Sequence, residues 1–101
     1  MEAVMTEKDL SNYVGPVIHN GDIGEAVLEA IREDNPGRDI VVVEHASYFR
    51  IKVEDECVIV LDTVAKLLGR PISAGEIEVA MPGFSGFIRT SSDRIRFLAR
   101  S

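Results

Sequence analysis

Two apolar rhythms follow one another closely in this chain, and together they decide what it can fold into. From residue 22 onward, Ile23, Ala26, Val27, Ala30 and Ile31 recur at steps of three and four, with Glu25, Glu29, Arg32 and Glu33 between them. That spacing sets one apolar stripe along a helix and leaves the opposite side to solvent. From residue 48 to 53, Phe49, Ile51 and Val53 instead alternate with Tyr48, Arg50 and Lys52, which is the period of a half-buried strand. A chain carrying both must lay helix on sheet, and 101 residues is the length of one domain with one core.

The remaining punctuation fills in the order. Tyr13 to His19 reads as a short strand, and Pro16 inside it cannot donate to a ladder, which predicts an edge or a bulge there. Asp22 with Glu25 three residues on has the capping-box spacing, so Asp22 is the expected N-cap of the first helix. Asn35-Pro36-Gly37 ends that helix, because a residue before Pro avoids the helical region. Asp39–His45 and Tyr48–Val53 read as strands joined at Ala46-Ser47, and Glu54-Asp55-Glu56 as a charged turn. The unbroken apolar run Cys57–Leu61 predicts a strand buried on both faces. Asp62 is the expected N-cap of a short helix with Val64, Leu67 and Leu68 facing inward and Gly69 closing it. Ser73 and Glu76 repeat the capping-box spacing for one more helical turn. A glycine-rich loop, Pro82 to Gly86, precedes a hairpin of Phe87–Thr90 and Arg94–Leu98 across Ser91-Ser92-Asp93. One of Phe84 and Phe87 is expected in the core, with the loop backbone exposed. The fold class is therefore α+β, a mixed sheet built from two βαββ-like halves with helices packed on it. Residues 1–12, polar and aperiodic, form a flexible N-terminal tail, and residues 13–101 a single domain.

Charge narrows the partners. The net charge is −6, and counterion release from nucleic acid needs a basic face, so free nucleic acid is not expected. The balance is uneven. Residues 1–62 hold 14 acids and five bases, giving −9, whereas residues 63–101 hold three acids and six bases, giving +3. Such a polarised surface orients encounters with charged partners. The longest apolar run spans five residues, far short of the roughly 20 that cross a bilayer. The first nine residues lack a basic stretch followed by an apolar one, so no secretory signal is read, and the single Cys57 suits a reducing, cytoplasmic setting.

No catalytic or metal-binding set emerges. His19 and His45 lie far apart, and neither has a Glu three residues before it, so the Glu-x-x-His pair of di-iron carboxylate proteins is absent. Cys57 sits within an apolar strand, where a thiol stays protonated. Glu44, His45 and Ser47 neighbour one another in sequence, but alternation along a strand separates their side chains. Glu54-Asp55-Glu56 reads as a solvated hairpin tip rather than a carboxylate pair in a cleft. Gly21-Asp22-Ile23-Gly24 has no neighbouring base to hold a phosphate. Binding, rather than catalysis, is the expected mode of action. A stand-alone enzyme would have to use Cys57, His45 and Glu56, and a small-molecule-sensing or scaffold α/β module is the alternative to a partner-binding one.

The order and spacing of Asp34-Asn35-Pro36-Gly37, Leu68-Gly69-Arg70-Pro71, Glu76-Ile77-Glu78-Val79, Phe84-Ser85-Gly86-Phe87-Ile88 and Asp93-Arg94-Ile95-Arg96-Phe97 resemble one family. It comprises the effector, or coupling, proteins of soluble bacterial di-iron multicomponent monooxygenases. The toluene monooxygenase effectors look most similar, the phenol hydroxylase and methane monooxygenase regulatory components more distant. The resemblance runs from about Val14 to Phe97. It implies a cofactor-free protein, monomeric when free, that is not itself an oxygenase. Such a protein docks on the hydroxylase above its di-iron site and shifts the helices carrying the iron ligands. It thereby promotes O2 activation and couples NADH-derived electrons to oxidation of a hydrocarbon, expected to be aromatic. The docking elements expected here are the polar face of the first helix (Glu29, Glu33), the Asn35-Pro36-Gly37 turn, and the loop Gly83, Phe84, Ser85 and Gly86; no catalytic, cofactor or metal residue is expected.

Overall fold

The computed structural model describes residues 10–100. Its elements run β1 (Tyr13–His19), α1 (Asp22–Asp34), β2 (Ile40–Glu44), β3 (Tyr48–Glu54), β4 (Glu56–Val60), α2 (Leu61–Leu68), α3 (Ala74–Val79), β5 (Gly83–Ser85), β6 (Phe87–Thr90) and β7 (Arg94–Leu98). The α+β class and the two βαββ-like halves are present, with the strands divided between two antiparallel sheets of order β2-β3-β1-β5 and β4-β7-β6. The second half lends β5 to the first sheet and keeps β6 and β7 beside β4.

The core lies between the sheets and the inner faces of α1 and α2. Ile18, Ile51 and Val53 from the first sheet meet Val27, Ala30 and Ile31 of α1, Cys57, Ile59, Ile95 and Phe97 of the second sheet, and Val64 and Ile77. The alternation read from Tyr48 to Val53 is the observed one, with Phe49, Ile51 and Val53 inward. The Ser73–Glu76 capping box also forms, with the Ser73 hydroxyl accepting from the Glu76 amide and the Glu76 carboxylate accepting from the Ser73 amide. Arg70 reinforces it by donating to Glu76 at 3.0 Å. The Arg70 hydrogen bond, followed by that of the Ser73 amide, holds the Glu76 carboxyl below its usual pKa.

Several expectations are corrected. Asp22 does not cap α1; Gly21, at φ +133°, occupies the N-cap and no side chain accepts a cap bond, so Asp22 and Glu25 act only as first-turn charges favourable to the helix dipole. Likewise Val60, not Asp62, precedes α2, and Leu61 opens the helix instead of closing the strand. Leu67 is exposed rather than inward. β4 is buried on one face only: Cys57 and Ile59 point inward, whereas Glu56, Val58 and Val60 on the other face are half-buried. β1 is an interior strand despite Pro16. Its pairing with β3 lapses at Gly15 and Pro16; the Asn20–Ser47 and Asp55–Asn12 bonds put the even-numbered residues of β1 toward β3, so the missing donor falls in that gap, while β5 pairs along the opposite side of β1. Gly15 fits because a Cβ there would strike the Ile51 carbonyl. Leu10 and Asn12, assigned above to the tail, are tied to the body. The Tyr13 amide donates to the Leu10 carbonyl, and the Asp55 amide to the Asn12 carbonyl at 2.8 Å. Most of the expected flexible tail, residues 1–9, lies outside the described residues.

One side chain joins the halves. Asn35, at the C-cap of α1, is 4% exposed and donates to the Ile31 carbonyl at 2.8 Å. Its amide also donates to the Val58 carbonyl at 2.9 Å and accepts from the Val58 amide at 2.9 Å. The Asp55–Ala99 and Leu61–Asp93 bonds flank the β4–β7 ladder, so in the two-residue alternation of an antiparallel pair Val58 turns both backbone groups away from β7. Asn35 therefore takes the place of the strand that β4 lacks on that side. Truncation would leave the Val58 amide and carbonyl and the Ile31 carbonyl short of partners, at about 1–3 kcal/mol for each group left buried. Asn35→Ala is expected to destabilise the protein by about 2–4 kcal/mol in urea unfolding, whereas Pro36→Ala, on an exposed residue, should change stability far less.

Candidate docking surface

The residues with reactive side chains are held apart. Cys57 points into the core, and burial, with a smaller contribution from the Glu56 carboxylate, pushes its thiol up to about 12. His45 stacks on Tyr48 at 4.4 Å on the exposed β2–β3 connection. Glu56 is engaged by Arg96, whose Nε donates at 2.8 Å. Glu54 and Asp55 serve a turn, the former through its carbonyl to Arg38 and the latter at φ +69° with its carboxylate accepting from Asn12 at 3.1 Å. Among the described residues no group of three or more His, Cys, Asp or Glu side chains is gathered as a metal would need.

Of the nine residues expected at a partner interface, eight fall into two separate groups. Glu29 and Glu33 stand on the exposed side of α1, Glu29 3.7 Å from Arg32, and Pro36 and Gly37 follow in an exposed turn. Asn35 belongs with neither, since its amide is consumed inside the fold. Gly83, Phe84 and Ser85 form β5 rather than a loop. They pair with Val17, Pro16 and Gly15 at the open edge of the first sheet. α1 packs on α2, β4, β1 and β3, whereas β5 packs on β1. A shallow cleft of about 290 Å³ between α1 and α2 is lined by Asp22, Glu25, Ala26, Glu29, Leu67 and Leu68, so the α1 group borders an acidic groove.

β5 carries the more unusual feature. Neither Phe84 nor Phe87 is in the core; they are 45% and 47% exposed. Phe97 fills the buried place instead, and the Phe84 ring rests on it at 5.6 Å between centroids. The chain then passes from the first sheet to the second through Gly86, at φ +99°. A Cβ there would stand 2.6 Å from Val14 Cγ1 and 2.8 Å from the Leu98 carbonyl oxygen. Only glycine fits both that backbone conformation and that gap. Two half-exposed phenylalanines are thus fixed on a short rigid crossing, an arrangement suited to contact with a protein partner. The glycines and aromatics marked this segment in the sequence, but three residues are too few to show a strand's alternation. Among the described residues no helix is long and apolar enough to cross a membrane.

Residues 12–98 match the MmoB/DmpM family. The chain is 36% identical over 90 residues to the alkene monooxygenase system effector subunit of Xanthobacter autotrophicus (strain Py2), covering 89% of each protein. Two solved chains share the fold, both from structures of a phenol hydroxylase–regulatory protein complex. One has a TM-score of 0.75 at 24% identity over 87% of this chain and 98% of the other. The second has a TM-score of 0.72 at 26% identity over 85% of this chain and 98% of the other.

Two outcomes follow from this geometry. Gly86→Ala combines a positive φ with a steric clash and is expected to destabilise the protein by about 2 kcal/mol or more in urea unfolding, with the near-ultraviolet signal of the phenylalanines altered. Cys57 should resist thiol reagents until the protein unfolds. Because its thiol ionises near pH 9 in the unfolded chain and near 12 in the fold, the unfolded state binds fewer protons between those values. Stability attributable to this group is therefore whole below about pH 9 and falls as pH rises toward 12, and Cys57→Ala should flatten that part of the stability profile.

Proposed function

This chain belongs to the MmoB/DmpM family, and from that premise we propose that it is the effector subunit of a multicomponent monooxygenase. It binds the hydroxylase component and is not itself the oxygenase. The 36% identity along nearly the whole chain to an alkene monooxygenase effector is the observation that carries this reading. The lone buried Cys57 agrees with action in the cytoplasm.

A subunit without chemistry of its own can change a partner's reaction only through differential affinity for two of the partner's conformations. Each tenfold shift in that equilibrium takes about 1.4 kcal/mol of differential binding. The effector thus binds the reaction-ready state of the hydroxylase more tightly, promotes O2 activation there, and couples NADH-derived electrons to oxidation of an unsaturated hydrocarbon, an arene or an alkene. Of the two surface groups, the one built on β5 makes the primary contact. Phe84 and Phe87 supply apolar area on a backbone that Gly86 and the β1 ladder hold in place, so little conformational entropy is lost on docking. Glu29, Glu33, Pro36 and Gly37 form a second, solvated ridge that tunes the encounter electrostatically.

Titration into an assay containing purified hydroxylase, reductase, NADH and substrate is expected to raise both the rate and the product formed per NADH, saturating with effector concentration. Phe84→Ala should raise the concentration needed for half the effect by about tenfold, the loss of a well-packed aromatic contact at an interface. An assay indifferent to the wild-type protein would refute the effector reading.

A further inference from the structure

Four of the six basic residues of positions 63–101, Arg89, Arg94, Arg96 and Arg100, are gathered on or beside one face. Ile95 and Phe97 of β7 are fully buried, so Arg94, Arg96 and Leu98 stand on the opposite face of the second sheet. Arg89 of β6 lies directly across from Arg96, and Phe87 across from Leu98. On the other side of β7, Val58 faces Arg96 and Val60 faces Arg94. Three arginines therefore share this surface with Phe87, Leu98, Val58 and Val60. The Arg100 guanidinium, 5.5 Å above the Phe87 ring, adds a fourth at its rim.

The arginines are unequally compensated. Arg96 has Glu56 at 2.8 Å and Arg94 has Asp93 at 3.4 Å. Arg89 has no carboxylate partner among the described residues, and its Nη1 donates to the Ile88 carbonyl of its own strand. Like charges directly opposite on one sheet face oppose the pairing of their strands, and an acidic group of another molecule set between Arg89 and Arg96 would relieve that repulsion. Arginine interleaved with an aromatic and aliphatic side chains is the make-up of a protein-binding patch. Nucleic acid is disfavoured by the chain's net charge of −6 and by Glu56 and Asp93 on the patch itself.

We propose that the outer face of the β4-β7-β6 sheet, with Arg89, Arg94 and Arg96 around Phe87, docks on an acidic surface of the hydroxylase. This rests on the effector reading above and adds to it the chemistry of the partner surface and a role for the arginines around Phe87.

The test is equilibrium binding to purified hydroxylase, at low and at physiological salt, of the wild type, Arg89→Glu, Arg94→Glu and the more conservative Arg89→Gln, each checked for folding by circular dichroism. Wild-type affinity should fall with salt. Each charge reversal should weaken binding at low salt on the order of tenfold and flatten its salt dependence, with Arg89→Gln intermediate. Lys66→Glu, a reversal of similar charge on the exposed side of α2, should behave as wild type. Wild-type binding that both reversals leave intact, with its salt dependence, overturns the proposal while sparing the effector reading. Binding of the wild type to a DNA duplex or anionic vesicles that Arg89→Glu abolishes, with hydroxylase affinity unchanged, overturns it in favour of those partners. Failure of the wild type itself to bind hydroxylase removes the effector reading and the proposal with it.

Discussion

The carboxamide of Asn35 holds the two halves of this protein together. β4 is an edge strand whose outward backbone groups need partners, and α1 ends beside it with carbonyls that also need partners. One side chain answers both, through Ile31 on the helix and Val58 on the strand. The contact lies beside the shared core of Val27, Ala30, Ile31, Cys57 and Ile59. Asn is well suited to the task because its amide offers acceptor and donor in the same plane, as a peptide unit does.

A second link lies on the far side of the molecule and produces the surface on which the proposed function depends. β5 joins the first sheet and β6 the second, with only Gly86 between them. The crossing is pinned by the β1 ladder on one side, by the Phe84–Phe97 ring contact beneath it, and by the lack of room for any Cβ at its centre. Phe84, Phe87 and the arginines of the β6–β7 hairpin are consequently parts of one stiff assembly. A protein that acts by favouring one conformation of its partner benefits from such stiffness, because ordering its own surface on binding would consume the differential affinity it has to supply.

Local signals in the sequence were reliable where the chain obeys local rules. The stripe from Ile23 to Ile31, the alternation from Phe49 to Val53 and the Ser73–Glu76 box each describe an element stabilised by near neighbours, and each is found. The departures arise from distant parts of the chain. Asp22 fails as a cap because Gly21, free to take φ +133°, lets the chain turn one residue earlier. Pro16 sits in a sheet interior because the β1–β3 ladder opens at Gly15 and Pro16, while β5, far along the chain, covers the opposite side of β1. Asn35 reads as a surface turn residue since its partner Val58 lies 23 positions away. The paired arginines were legible as net charge in the last third, but their placement on one face depends on the register of β6 with β7.

Docking is expected through β5 and the outer face of the β4-β7-β6 sheet, and hydrogen–deuterium exchange of the effector with and without saturating hydroxylase reads it directly. Added protection should appear at Gly83–Thr90 and Arg94–Leu98, leaving the amides of α1 and the Pro36-Gly37 turn close to their free-state rates. Protection confined to α1 and that turn, or none anywhere while the hydroxylase is demonstrably bound, would contradict it.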